Sequence, residues 1–391
     1  MERAVSAKGR IYLDQSSTSL PKPPEVVAAV TDFLSQNGSN IGRGVYPTAV
    51  DAAAQVLTVR ESLRDLFRLP EDSSHVVFTS GATAAMNMVL KGLLRPGDHL
   101  LFSAVEHNDV LRCARQLERW GITHTVVPCD STGRMQAELL PGLVQKHTRA
   151  LVLSHASNVC GTIQPVAQTA AFCREKGLWF LLDAAQTGGC VPLDVSALGA
   201  DGVILSGHKG LLGPQGVGAL LLRDGLAQEL EPLIAGGTGS LSDCADMPPF
   251  LPDRLEAGTL NLPGILGLGA GVRLLGADGP AEEQAHEQRL TRRFLRGLRG
   301  LPGVRSVGPG DPARQVGIVS VECPQKDPAE IAFRLSEEYG VYTRAGIHCA
   351  PLAHKALGTF PAGTVRFSFG RATDEEEIDL ALEALEGALK K

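Results

Sequence analysis

Between residues 74 and 222 the chain repeats one pattern, a short apolar run followed by a longer stretch of helical period. The runs at 75–79, 99–102, 150–153, 178–182, 202–205 and 217–221 are mostly apolar throughout rather than alternating, as expected of strands buried on both faces. Helical stretches lie at 84–94, 109–120 and 166–176. Apolar strands with helical crossovers predict an α/β fold with a mainly parallel sheet, whose ligands bind beyond the carboxyl ends of the strands. Residues 226–261 are rich in Gly and Pro and read as irregular. A helix at 281–299 then leads into strand 315–321, helix 328–339, strands 341–344 and 364–369, and helix 374–389. The expected organisation is a large domain over 13–262 and a smaller α+β C-terminal domain over 263–391, with residues 1–12 packed nearby.

Composition narrows the function classes. The 391 residues suffice for two domains, and 43% hydrophobic with 20% charged residues fits a packed, soluble core. The net charge of -6 comes from mixed acidic and basic residues, which speaks against nucleic acid as a partner. No apolar run approaches the ~20 residues that span a bilayer. The opening MERAVSAKGRIYLDQ has no signal-peptide core, so a cytoplasmic location away from membranes is expected. The eight cysteines are scattered, with no CxxC pair. No metal site is therefore expected, and most of them read as small apolar residues of a reducing compartment.

Against that background a few polar residues stand out. Lys209, in Ser206-Gly207-His208-Lys209-Gly210, follows directly on an apolar strand. A strand-end lysine ordinarily reaches into solvent. One held among small residues is instead suited to condense with an aldehyde. Asp183 ends the strand at 178–182, so parallel strands bring it to the same edge as Lys209. Pyridoxal phosphate (PLP) chemistry needs this pair: an amine for the aldehyde and a carboxylate to keep the pyridine nitrogen protonated. Gln186, three residues on, is placed to reach the ring's phenolic oxygen. The turn Thr79-Ser80-Gly81-Ala82-Thr83 opens a helix and can cradle a phosphate, with Ser206 and His208 as further donors. His107 follows the strand at 99–102 and can stack on a planar ring. Cys349, in a Gly/Pro-marked loop after Arg344 and His348, is a candidate thiolate flanked by two cations. Arg366 interrupts an apolar strand, as a carboxylate-binding guanidinium would.

These residues resemble the class V, fold-type I PLP enzymes of the cysteine desulfurase and selenocysteine lyase group. The resemblance rests on Ser206-Gly207-His208-Lys209, His155-Ala156-Ser157-Asn158-Val159, Glu256-Ala257-Gly258-Thr259, and Arg344 to Cys349 followed by Arg366. It implies that Lys209 is the Schiff-base lysine, Asp183 the pyridine partner, Gln186 the phenolate partner and His107 the stacking histidine. Ala82, Thr83, Ser206 and His208 would hold the phosphate, joined by Thr259 from the neighbouring subunit of a homodimer. Asn158 and Arg366 would hold the substrate carboxylate, and Cys349 would take up sulfur as a persulfide. L-cysteine is the implied substrate, and a protein or small thiol the sulfur acceptor. The short Cys349 loop resembles the Suf-type branch. Departures from that branch include Asn40-Ile41-Gly42-Arg43-Gly44, which lacks a usual histidine, and Ile347 in place of another. Selenocysteine lysis, transamination and cysteine sulfinate cleavage are alternatives within the fold. A silent partner of sulfur-transfer proteins is an alternative outside catalysis.

Overall fold

The computed structural model describes residues 9–42, 44–276 and 278–390. Arg43 and the first eight residues, on which part of the sequence expectation falls, lie outside the described residues. Thirteen strands occur in the described chain: β1 (Ile11–Tyr12), β2 (Val76–Thr79), β3 (His99–Ser103), β4 (Thr123–Val127), β5 (Thr148–Ser154), β6 (Trp179–Asp183), β7 (Gly202–Ser206), β8 (Gly218–Leu222), β9 (Arg305–Val307), β10 (Ile318–Glu322), β11 (Val341–Tyr342), β12 (Arg344–Gly346) and β13 (Thr364–Ser368). The large sheet runs β2-β8-β7-β6-β5-β3-β4. From β7 to β4 every neighbouring pair is parallel, and only β8 runs against its neighbours. The expectation of a mainly parallel α/β sheet with a smaller α+β unit is met.

The apolar runs become strands because both faces of the sheet are covered. Val203 and Leu205 face one core cluster with Leu151, Leu153 and Leu182, while Ile204 faces the other with Val152 and Leu181. β4 was not anticipated. Its sequence Thr-His-Thr-Val-Val lies at the sheet edge and is only partly buried, so it lacks the continuous apolar signal. The helix Leu262–Leu275 was not anticipated either, since four of its fourteen residues are glycines, poor helix formers. Packing overrides that propensity. A Cβ at Gly267 would come within 2.8 Å of Val30, and one at Gly269 would collide with Val59. The glycines let this helix lie close against its neighbours, with Ile265, Leu268 and Val272 in the large-sheet core. A boundary at 262 would assign the helix to the smaller unit, yet its apolar side belongs to the larger.

The C-terminal unit is an antiparallel sheet ordered β12-β13-β10-β9. The helices Gly279–Leu298, Pro328–Tyr339 and Glu375–Lys390 cover it over a core holding Phe294, Phe367 and Phe369. β1 pairs in parallel with β11, which ties the start of the described chain to this unit. The next residues cross to the large sheet: Ser19 N and Lys22 Nζ both donate to the His208 carbonyl at 2.9 Å. No helix among the described residues is long and apolar enough to cross a membrane.

Candidate active site

Register fixes where the polar strand ends meet. Ser154 of β5 pairs with Asp183 of β6, and Asp183 pairs with Ile204 of β7, so the three carboxyl ends lie side by side. Lys209 sits in the turn from β7 to antiparallel β8. Gly207 N donates to Val217 O at 3.0 Å and Gly213 N to Gly207 O at 2.8 Å, which closes the turn. Lys209 and Asp183 thereby line one cavity of about 550 Å³. Ala82, Thr83, His107, Gln186, Ser206 and His208 line it as well, as do Asn158, Cys349 and Arg366 from the other side. Of the residues singled out from the sequence, only Thr259 does not line this cavity; it is exposed.

Burial sets the electrostatics. It lowers the pKa of Lys209, against the pull of Asp183, and so favours the nucleophilic amine. Burial raises Asp183 to about 6, with repulsion from Asp109 adding to it, while Ala185 N donates to its carboxylate at 2.8 Å. Burial opposes ionisation of Asp109 too, but a hydrogen bond from His107, with Nδ1 at 3.0 Å, holds Asp109 below the ordinary range. His208 is pushed down to about 4, by burial first and then by the charges of Lys209 and Lys22.

The donor set fits a phosphorylated pyridine aldehyde. His208 Nδ1 is buried with no hydrogen-bond partner, as a group awaiting an anion would be. Beside it the helix Ala82–Leu93 begins at Gly81, whose φ of 146° and open Cβ position leave its N-terminus free to receive phosphate. Asp183 and Lys209 supply the carboxylate and the amine.

The opposite end of the cavity is cationic. Arg366 is only 2% exposed. Its Nη2 donates to Asp14 Oδ1 and Ser17 Oγ, both at 2.8 Å, and its Nη1 to Asn158 O at 3.0 Å; its buried Nε has no partner. Arg344 is its cross-strand neighbour and donates to Ser17 Oγ at 2.9 Å. Among the described residues Asp14 forms an ion pair with Arg366 alone, while Arg344 reaches only the Ser17 hydroxyl and the Cys349 sulfur, so this end keeps positive charge for an anionic ligand. Arg344 Nη2 also lies 3.8 Å from Cys349 Sγ. The expectation of two cations beside this sulfur is corrected. The His348 ring turns into the protein, pairs through Nε2 with Thr364 Oγ1 at 2.9 Å, and is pushed by burial to about 2. It is neutral, so the positive charge near this sulfur comes from arginine: Arg344 at 3.8 Å, with Arg366 also interacting electrostatically with it.

A family model described as Aminotransferase class-V matches residues 11–381. The chain belongs to this family. A probable cysteine desulfurase of Methanothermobacter thermautotrophicus is 34% identical over 384 residues, which cover 97% of this chain and 94% of the relative. A cysteine desulfurase of Escherichia coli is 32% identical, covering 99% of this chain and 95% of its own. Among solved structures, the apo cysteine desulfurase of Thermococcus onnurineus NA1 is 30% identical with a TM-score of 0.90, covering 97% of this chain and 95% of that one. The cysteine desulfurase CsdA of Escherichia coli is 29% identical with a TM-score of 0.86 over the same shares. This class-V chain therefore stands in the cysteine desulfurase branch of its family, whose members use PLP.

Several groups of the class-V site escaped the sequence reading. Asp14 and Ser17 reach Arg366 across about 350 positions of chain, a contact no local pattern announces. Glu256 was read only as part of a motif. It forms a buried two-pronged ion pair with Arg60 at 2.5–2.7 Å and accepts from Phe78 N, which anchors the segment leading to exposed Thr259. Glu106 lies beneath the site, 2% exposed, accepting from Ser103 Oγ at 2.5 Å, Ser154 N at 2.9 Å and Ser154 Oγ at 2.7 Å. It ties the ends of β3 and β5 together.

Burial raises Glu106 to about 8, so the folded protein keeps a proton that an unfolded glutamate, with pKa ~4.3, has lost. Its stabilising contribution is complete below the unfolded value and is lost as pH rises through about 8. Against Glu106→Gln, which is neutral at every pH, the parent's melting temperature should therefore fall progressively from pH 5 to 8. A difference between the two proteins that stays flat with pH would show that Glu106 ionises normally.

Proposed function

We propose that the protein is a PLP-dependent cysteine desulfurase that moves the sulfur of L-cysteine onto Cys349 and releases L-alanine. The observation that carries this reading is the presence of Cys349 Sγ, beside Arg344, in the same cavity as Lys209 and Asp183. A transaminase-type site needs no thiol there.

When bound, PLP supplies an electron sink that makes the substrate's α-hydrogen acidic. His208, Ser206 and the Ala82–Leu93 helix terminus would hold its phosphate, Asp183 its ring nitrogen, and Gln186 its phenolic oxygen. Gln186 Nε2 is already oriented by the Ser16 carbonyl at 3.2 Å. Arg366 binds the substrate carboxylate through its free Nε–H and orients the Cα–H bond toward Lys209. The Lys209 amine, its pKa lowered by burial, takes the α-proton and returns it to carbon. The Cys349 thiolate attacks the substrate sulfur. The S–S bond forms as the Cβ–S bond breaks, the electron pair passes to the carbon side, and a proton completes alanine. A thiol acceptor then removes the outer sulfur by exchange. Thr259 completes the phosphate site from the second subunit of a homodimer.

The direct test is to mix the PLP-loaded protein with L-cysteine and a reducing thiol and to measure alanine and sulfide together. Equal amounts are expected. Alanine without released or protein-bound sulfur, or pyruvate in its place, would overturn the reading. Arg366→Lys should raise KM for L-cysteine about 10- to 100-fold with the visible cofactor band retained, because a point charge replaces a planar charge-assisted donor worth ~1.5–3 kcal/mol. An unchanged KM would move the carboxylate elsewhere.

A further inference from the structure

Cys349 is held in an unusual backbone. His348 and Cys349 are consecutive non-glycine residues with positive φ, 47° and 59°. In that region Cβ crowds the following carbonyl, so such a pair persists only where its surroundings impose it. The surroundings here are two hydrogen bonds from the large-sheet unit. Asn158 Nδ2 donates to the His348 carbonyl at 2.6 Å, and Asn108 N donates to the Cys349 carbonyl at 2.7 Å. Both carbonyls of the strained pair are thus gripped by residues outside the C-terminal sheet that carries the loop. Asn158 also meets the carboxylate end, since its own carbonyl accepts from Arg366 Nη1.

We infer that Asn158 is a latch on the Cys349 loop, and that a carboxylate bound at Arg366 opens it by taking the Asn158 amide away from the His348 carbonyl. Asn158 is a positioning residue in this role. The coupling to the carboxylate rests on the desulfurase reading; the latch itself does not. The amide is the only side-chain donor to the His348 carbonyl among the described contacts, and Asn158, 7% exposed, lines the cavity into which the ligand carboxylate would come. Once that bond is lost, relief of the left-handed pair favours movement of the thiol. Substrate arrival would then set Cys349 free when a sulfur is present to attack, and keep it held otherwise.

The test is backbone hydrogen exchange of the PLP-loaded protein, read on peptides spanning 346–352. Without ligand, Asn158→Ala and the isosteric Asn158→Asp, which has no amide to donate, should both exchange there about fivefold or more faster than the parent, the effect of losing one hydrogen bond. Peptides from the Asn108–Leu117 helix serve as the reference for general loosening. Saturating L-alanine should speed loop exchange in the parent toward the rate of the variants and change nothing in them. Equal unliganded rates in parent and both variants would overturn the latch. Faster variants with a parent that alanine leaves unchanged, or slows, would overturn the coupling. Failure of the desulfurase reading shows separately, as absence of alanine from L-cysteine, with the unliganded comparison unaffected.

Discussion

Lys209→Ala is expected to lower alanine formation from L-cysteine at least about 10³-fold, within the range a positioned acid–base group supplies. Two losses combine in one substitution. The amine that would tether the cofactor disappears, and with it the only lysine among the described residues that lines the cavity. Burial explains why solvent or a neighbour cannot substitute. Burial lowers the pKa of Lys209 and so favours its free amine, whereas Lys22, the other lysine near the His208 carbonyl, is engaged with that carbonyl and with Ser19. The variant should still bind PLP through His208, Ser206 and Asp183, but not survive borohydride treatment with cofactor attached. Two measurements check this: alanine release, and mass spectrometry after reduction. A covalent adduct that persists in Lys209→Ala, or turnover within tenfold of the parent, would remove Lys209 from its role.

That Lys209 and Asp183 were legible from sequence follows from the sheet. Both stand at the ends of uninterrupted apolar runs, and parallel strands must present those ends on one edge. The same logic placed His107 and the Ala82–Thr83 turn. What stayed hidden depends on contacts between distant segments. The pairing of Arg366 with Asp14 and Ser17 arises where β13 meets the segment leaving β1. The inward turn of the His348 ring depends on a positive φ that its neighbours in sequence do not dictate. The edge strand β4 and the glycine-rich helix Leu262–Leu275 were missed for related reasons: one has too little burial to show a pattern, the other owes its helix to close packing rather than propensity. Sequence pattern thus recovers what strand ends carry, while fine orientation at the cationic end needs the three-dimensional neighbours.

Cys349→Ser should abolish sulfur transfer from L-cysteine, by at least about 10³-fold, as removal of an enzymic nucleophile does. Cofactor binding should be intact, since Cys349 shares no hydrogen bond with His208, Ser206 or Asp183 among the described contacts. The physical ground is that activation at Cα does not by itself provide a destination for sulfur. A thiol of pKa ~8.5 is already partly thiolate near neutral pH and is a soft nucleophile toward sulfur, whereas a serine hydroxyl is scarcely ionised. Arg344 Nη2 stands 3.8 Å from the sulfur, beside the place where the persulfide would form. The same variant separates two substrates. Selenium leaves carbon more readily than sulfur, so L-selenocysteine should retain a larger share of its parent rate in Cys349→Ser than L-cysteine does. The measurement is alanine formed from each substrate, parent against variant, with the protein-bound persulfide quantified on the Cys349 peptide. Parent-like sulfide release by Cys349→Ser would make Cys349 structural and the enzyme a lyase that expels sulfur without a persulfide. Loss with L-cysteine alone would leave Cys349 as the sulfur acceptor and show that selenium needs none.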